Sequence, residues 1–417
     1  MNSTYACEEA GQAKTGSEQP EAGIIIQMPL GLYISVPFCR TKCTYCNFAS
    51  DVFSRAVFTK YVDRVCAEIA GAPEAARKMG GSFEPAADSI YFGGGTPTLL
   101  EISQLERVFV SIRQNFDLQP DAEITVECAP GTLSADKMEA LVRCGVNRVS
   151  LGVQSFVDQE AASVGRLHKR DIVFDDIARL RAAGISNLNV DLIAGLPHQT
   201  RESWNQSLDE LIATDVPHAS VYMLEVDEDS RLGRELIAGG QKYHAHHVPD
   251  EDLTADMYEI ACERLNSAGI QQYEISNFAR IGLESKHNLK YWTRQPYLGF
   301  GVDAHSMLRS ENGAVRFSNP DALDLYIGGA GAESSIVSQD LALQEEFFLG
   351  LRLNCGVNLA KLTARYGEAT AAFHNCISEL VADGLLQNCD DFIRLTQRGR
   401  LLSNEVFQQF ISLPAAV

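Results

Sequence analysis

The segment Tyr33-Ile-Ser-Val-Pro-Phe-Cys39-Arg-Thr-Lys-Cys43-Thr-Tyr-Cys46 sets three thiols on one short loop. Thiolates are soft, charged ligands suited to zinc and to iron–sulfur clusters. Three of them grip three corners of a [4Fe–4S] cubane and leave one iron open. An open iron chelates an amine and a carboxylate, much as an open zinc holds water. The competing reading is structural zinc, which wants a fourth His or Cys nearby and favours paired knuckles. No such residue stands between Cys46 and Cys66. Cys66, Cys128, Cys144, Cys262, Cys355, Cys376 and Cys389 are scattered and read as small buried hydrophobes.

Other residues of chemical interest stand at regular places. Gly93-Gly94-Gly95-Thr96-Pro97 is a glycine run of the kind that lets a backbone approach a ligand. Glu127 and Asp191 are carboxylates at the ends of apolar segments, and Arg166 suits a carboxylate clamp. Tyr243-His244-Ala245-His246-His247 carries three histidines that could bind metal or haem, but reads rather as a polar surface loop.

The elements that must position them follow from periodicity. Leu32–Val36, Ser89–Phe92, Glu123–Glu127, Arg148–Val153, Leu188–Ile193, Ser220–Leu224 and Gln272–Ile275 read as strands. Helical stretches separate them, with Ser134 and Thr200 as N-caps and Gly145, Gly184 and Gly269 as stops. Such alternation predicts an α/β protein built on a parallel sheet covered by helices, a full or partial β/α TIM-type barrel. Polar groups recur just after the strands, which is where such barrels keep their active face. Toward the end, three short helices, a hairpin around residues 388–391 and a last helix over 397–411 predict a small helical, winged-helix-like domain. The expected organisation is a flexible tail over 1–24, a core over 25–275, a connecting segment over 276–340 and the small domain over 341–417.

The chain has 417 residues, 45% of them apolar and 22% charged, with a formal net charge of -20. This is the composition of a soluble globular protein. The negative field disfavours nucleic acid as a partner. No apolar run reaches the length of a membrane span, and the polar start carries no secretory signal. A cytoplasmic location is expected, with transient membrane association left open.

The spacing Cys-x3-Cys-x2-Cys resembles the radical-SAM signature. Further segments are similar to the superfamily of the oxygen-independent coproporphyrinogen III oxidase: Gly93–Thr98, Glu127–Pro130, Ser150–Phe156, Gly165–His168 and Asn189–Pro197. This resemblance implies a [4Fe–4S] cluster on Cys39, Cys43 and Cys46. It implies S-adenosylmethionine (SAM) held by Tyr33, Gly94 and Glu127, with Tyr45, Gly95, Thr96, Gln154, Arg166 and Asp191 at positions that contact SAM or a second SAM. Electron transfer to the sulfonium and a deoxyadenosyl radical would follow.

The oxidase pattern has a fourth Cys two residues after the third, and here that place is Phe48. Phenylalanine there resembles the HemW branch, the haem chaperones, and His287-Asn-Leu-Lys-Tyr291-Trp292 is similar to the HNxxYW motif of that branch. The resemblance implies haem or porphyrin as cargo and an acceptor such as a cytochrome. It makes His287 an axial ligand and Tyr291 and Trp292 stacking rings. The oxidase itself, or a radical-SAM methyltransferase that opens haem, are the alternatives.

Overall fold

The computed structural model describes residues 28–311 and 313–411, so the expected tail over 1–24 lies outside them. One twelve-stranded sheet organises the chain: β1 (Leu30–Val36), β2 (Ala86–Gly94), β3 (Asp117–Cys128), β4 (Arg148–Gln154), β5 (Asn187–Ala194), β6 (His218–Met223), β7 (Gln271–Gln272), β8 (Asn277–Ala279), β9 (Tyr297–Phe300), β10 (His305–Ser310), β11 (Gly313–Ser318) and β12 (Glu333–Val337). Its order is β12-β11-β10-β9-β1-β2-β3-β4-β5-β6-β8-β7. Strands β9 and β1 to β6 are parallel, and the remainder pair antiparallel. The order does not close on itself, because β6 pairs with β8 rather than with β9. The expected barrel is therefore a partial one.

Local signals explain why these elements form. Ser134 and Thr200 accept from the backbone N–H of Lys137 and Ser203, so both are N-caps. The helices Ala135–Arg143 and Arg201–Ala213 follow them. Gly145 and Gly184 take φ of 83° and 94°, which a helix stop asks of glycine.

The expected seventh strand at Gln272–Ile275 is only the two-residue β7, antiparallel to β8. Its polar residues leave the ladder for side-chain partners: Tyr273 Oη meets His218 Nε2 at 3.0 Å, and Glu274 accepts from the Ser276 backbone N–H at 2.9 Å. The seventh parallel strand is β9, beside β1. Residues expected to form only a connecting segment thus carry β8 to β12.

The parallel strands alternate over most of their length. Leu32, Ile34, Ile90, Phe92, Val126, Val149, Leu151, Leu188 and Val190 are sealed in the main core. The intervening residues are polar: Tyr33 and Ser35, Ser89 and Tyr91, Glu123, Thr125 and Glu127, Arg148 and Ser150, Asn189 and Asp191. A parallel sheet buried on both faces ordinarily reads as unbroken apolar runs. Here one face packs on helices and the other lines a polar lumen.

The small domain has its own core around Phe347, Phe373 and Phe410. The antiparallel strands β13 (Val357–Asn358), β15 (Phe392–Leu395) and β14 (Leu386–Cys389) lie in that order beside helices Gln339–Gly350, Leu359–Tyr366 and His374–Ala382. This is the expected helical, winged-helix-like arrangement. The last helix is broken in two, Gln397–Leu401 and Ser403–Ile411.

Candidate functional site

Strand β1 ends at Val36 and the chain turns into the cysteine loop. Phe38 anchors it: the ring is buried and stacks on Phe58 with centroids 3.7 Å apart. The backbone N–H of Cys39 donates to Asp51 O at 3.0 Å, and that of Asp51 to Pro37 O at 2.9 Å, closing the base of the loop. Two more segments grip it. Thr44 N–H donates to Val164 O at 3.1 Å, Leu232 N–H donates to Thr44 O at 2.8 Å, and the Arg231 guanidinium donates to Lys42 O. The glycine run closes the remaining side, with Gly95 N–H on Val36 O at 2.8 Å and Thr96 N–H on Phe38 O at 2.7 Å. A Cβ on Gly95 would stand 2.7 Å from Phe38 O, so only glycine allows this approach.

Cys43 is buried, and Cys39 and Cys46 are half-buried. Burial pushes the Cys39 and Cys46 thiols above their ordinary value, so thiolates here call for a cationic partner. Arg166 Nη1 lies 3.6 Å from Cys43 Sγ. Thr44 Oγ1, Arg166 Nε and Arg231 Nε, all on or against the loop, are buried without a hydrogen-bond partner. Such atoms are rare in folded proteins and a bound polar ligand satisfies them. Among the described residues no three His, Cys, Asp or Glu side chains converge at single-ion distance. A cubane instead spreads its thiolates over separate corners, so the donor set fits a cluster better than zinc.

The other expected residues divide into two groups. Glu127 accepts from Tyr91 Oη at 2.9 Å and from the Gly94 backbone N–H. Burial first, and the neighbouring Asp191 second, push its carboxyl up to about 7. Tyr33 stacks near Tyr91, with centroids 6.1 Å apart, and a Cβ on Gly94 would lie 3.6 Å from its hydroxyl oxygen. Tyr33, Gly94 and Glu127 thus share one end of the lumen. Asp191 accepts from Asn189 Nδ2 at 2.6 Å and Ser150 Oγ at 3.2 Å, and burial pushes its carboxyl up. Arg166 donates to Gly152 O, Gln154 takes φ of 72° beside it, and Tyr45 packs against Val164, Ile193 and Leu196. Gly95 and Thr96 bind the loop itself. All these positions lie on the edge where β1 to β5 end.

His287, Tyr291 and Trp292 lie below that group in the same interior, with the His287 ring stacked 5.3 Å from Tyr91 and 6.3 Å from Tyr33. Their helix, Lys286–Trp292, sits under the beginning of the strands. Glu123 of β3 caps it, accepting from the backbone N–H of Lys286 and of His287 at 3.1 Å each. His287 is 1% exposed, with Nδ1 3.0 Å from Ser89 Oγ and Nε2 2.8 Å from Tyr291 Oη. Burial, with Lys290 and Arg148 nearby, pushes the imidazole down to about 3, so it is neutral. The expected axial ligand therefore has both ring nitrogens engaged. Trp292 lies beneath the Arg352 guanidinium, 4.3 Å from its centroid, at the junction with the small domain. Trp292 Nε1, by contrast, is buried without a hydrogen-bond partner.

Sequence reasoning missed Tyr91, Arg148 and Asn189. Arg148 is 2% exposed and its charge bears on both Glu127 and Asp191. Asn189 contacts Asp191, Ser150, Ser220 and His218. The signal for all three was the period-two alternation of polar residues within strands.

Comparison with known proteins agrees with this geometry. The Radical SAM superfamily model matches residues 33–211 and the HemN C-terminal domain model residues 337–402. The solved coproporphyrinogen III oxidase (HemN) from Escherichia coli superposes with a TM-score of 0.78 at 24% identity, over 93% of this chain and 91% of that one. That likeness concerns the fold. The fold and the three-thiol loop define a radical-SAM protein with a HemN-type C-terminal domain. The Heme chaperone HemW of Bacillus subtilis is 36% identical over 91% of this chain and 98% of its own length. That of Lactococcus lactis is 33% identical over 93% and 98%, and that of Escherichia coli 30% over 92% and 98%. The chain belongs to the HemW family.

Proposed function

We propose that this chain is a haem chaperone: it binds haem and passes it to an acceptor protein such as a cytochrome, with a [4Fe–4S] cluster on Cys39, Cys43 and Cys46 and SAM at the same face. The reading rests on the three-thiol loop with Phe48, 63% exposed, in place of a fourth thiol. The full-length likeness to proteins named as haem chaperones supports it. When bound and reduced, the cluster supplies one electron to the sulfonium of SAM.

The chain's own residues supply the rest. Tyr91 orients Glu127 toward the ribose hydroxyls or amine of SAM. Gly94 leaves room for the ligand, Gly95 holds the cysteine loop at Val36 and Phe38, and Arg166 stands by Cys43 to balance thiolate charge. Tyr45, Thr96 and Gln154 line the same face, and Asp191 offers an acceptor for hydroxyl or amine. Among the described residues no helix is long and apolar enough to cross a membrane, and we assign the activity to the cytoplasm.

The test is anaerobic reconstitution with iron and sulfide, followed by assay with haem and coproporphyrinogen III side by side. Stoichiometric haem binding and transfer to an apo-cytochrome, with no protoporphyrinogen IX formed, is the expected result. Decarboxylation of coproporphyrinogen III would assign the oxidase activity instead.

A further inference from the structure

We propose that His198, His244, His246 and His247 form an exposed ligation site for haem iron on the cluster-bearing edge of the sheet. The inference rests on the haem-chaperone reading and names the place where cargo is held.

His198 stands just beyond β5, after Gly195-Leu196-Pro197. The other three belong to the turn Lys242–His247, between helices Arg231–Ile237 and Glu251–Ser267. The two segments are separate in sequence and joined in space: His198 N–H donates to His247 O at 2.9 Å. His198 Nε2 lies 3.1 Å from His244 Nδ1, and the His198 and His247 rings are 4.1 Å apart. The His246 ring is 4.0 Å from that of His247. His198, Tyr243 and His244 all take φ between 56° and 71°, the left-handed region that non-glycine residues avoid. That conformation turns the imidazoles of both segments toward one another.

The number of converging ligands separates the candidate centres. A structural ion asks for about four ligands, and no three of these rings converge on one point. Haem iron already has four porphyrin nitrogens and asks the protein for one or two axial imidazoles. His244, His246 and His247 are exposed, as a ligand that must accept and release cargo needs to be. Tyr243 and Ile237 are exposed beside them as flat or apolar surface for a macrocycle, and Arg234 and Lys242 offer cations to propionates.

The site is also joined to the cluster loop. Arg231 donates to Lys42 O, between Cys39 and Cys43, and its guanidinium lies 5.7 Å from the centroid of Tyr243, next to His244.

The test is titration of hemin into the anaerobically reconstituted full chain, read by Soret absorbance and by the low-spin signals of imidazole-ligated haem. A variant carrying His198→Gln, His244→Gln, His246→Gln and His247→Gln should keep its cluster absorption, bind hemin about tenfold more weakly or worse, and lose the imidazole signature. Unchanged affinity and ligation in that variant, with wild type binding haem, overturns this inference and leaves the chaperone reading standing. Failure of wild type to bind haem at all removes the chaperone reading and the inference with it. A parallel titration with Zn2+ guards the assignment. Stoichiometric zinc uptake that depends on the four histidines, with haem binding that does not, overturns the inference in favour of a free ion.

Discussion

Two of the histidine-bearing regions of this molecule sit at opposite ends of one sheet and obey opposite rules. His287, under the strand beginnings, is sealed, neutral and hydrogen-bonded through both ring nitrogens. The four histidines at the other edge are largely exposed and bond chiefly to one another. The first region has exchanged chemistry for rigidity, whereas the second has one hydrogen bond between its rings, His198 Nε2 to His244 Nδ1, and leaves His246 and His247 exposed. Residue type therefore says little about ligation until the partners of each nitrogen are counted.

The contrast is sharpest at the cysteine loop. Cys43→Ala should abolish the iron–sulfur absorption of the reconstituted protein altogether, because two thiolates cannot hold the cubane. Circular dichroism should show the fold retained, which keeps the loss specific to the functional edge.

At the other end the expected effects are on stability. Glu345 is fully buried and pairs with Arg294 at 2.8 Å and Arg316 at 2.6 Å, tying the small domain to the sheet. Glu345→Ala removes the nearer of the two carboxylates on buried Arg294, leaving Glu346 at 3.4 Å, and should cost about 3 kcal/mol, the lower end for a broken buried pair. Chemical denaturation measures this directly. His287→Ala strands Ser89 and Tyr291 and should cost about 1–3 kcal/mol. Hemin affinity per folded molecule should stay at the wild-type value. If His287→Ala instead removes haem binding without loss of stability, the division between the two ends is wrong.

The smallest effect is a pH slope. Glu127 is raised to about 7 in the folded state, above its ordinary 4.5. A carboxyl raised by folding penalises the folded state once it ionises. The penalty is absent below the unfolded value and grows as pH rises from there to about 7. Without SAM, Glu127→Gln should match wild type near the lower limit and exceed it in thermal midpoint above the upper one. Equal slopes for both proteins would remove Glu127 from this account.

Much of the scaffold was legible because its signals are local. Ser134, Thr200, Gly145 and Gly184 mark helix ends by chemistry that acts within a few residues, and the cysteine spacing spans a single loop. Strand β9 was not legible. Tyr297-Leu-Gly-Phe300 is short and glycine-bearing, and its partner β1 lies far back in the chain. The same distance hid the histidine quartet: the Tyr243–His247 turn was visible, but His198 is 46 residues from His244. Tyr91, Arg148 and Asn189 escaped because they were weighed as strand residues, and the lumen emerges only when all the strands' inward faces are read together. His287 was noticed for its motif, which names residues but not the hydrogen bonds that occupy them.

The chain has two tryptophans, and their surroundings make them a built-in pair of optical gauges. Trp204 is wholly enclosed, its indole N–H donating to Met257 O at 2.7 Å, so its emission should hold steady until global unfolding. Trp292 carries an arginine from the small domain on its ring. Any parting of the two domains lifts that guanidinium, and a change in emission colour would report it while the rest of the molecule stays folded.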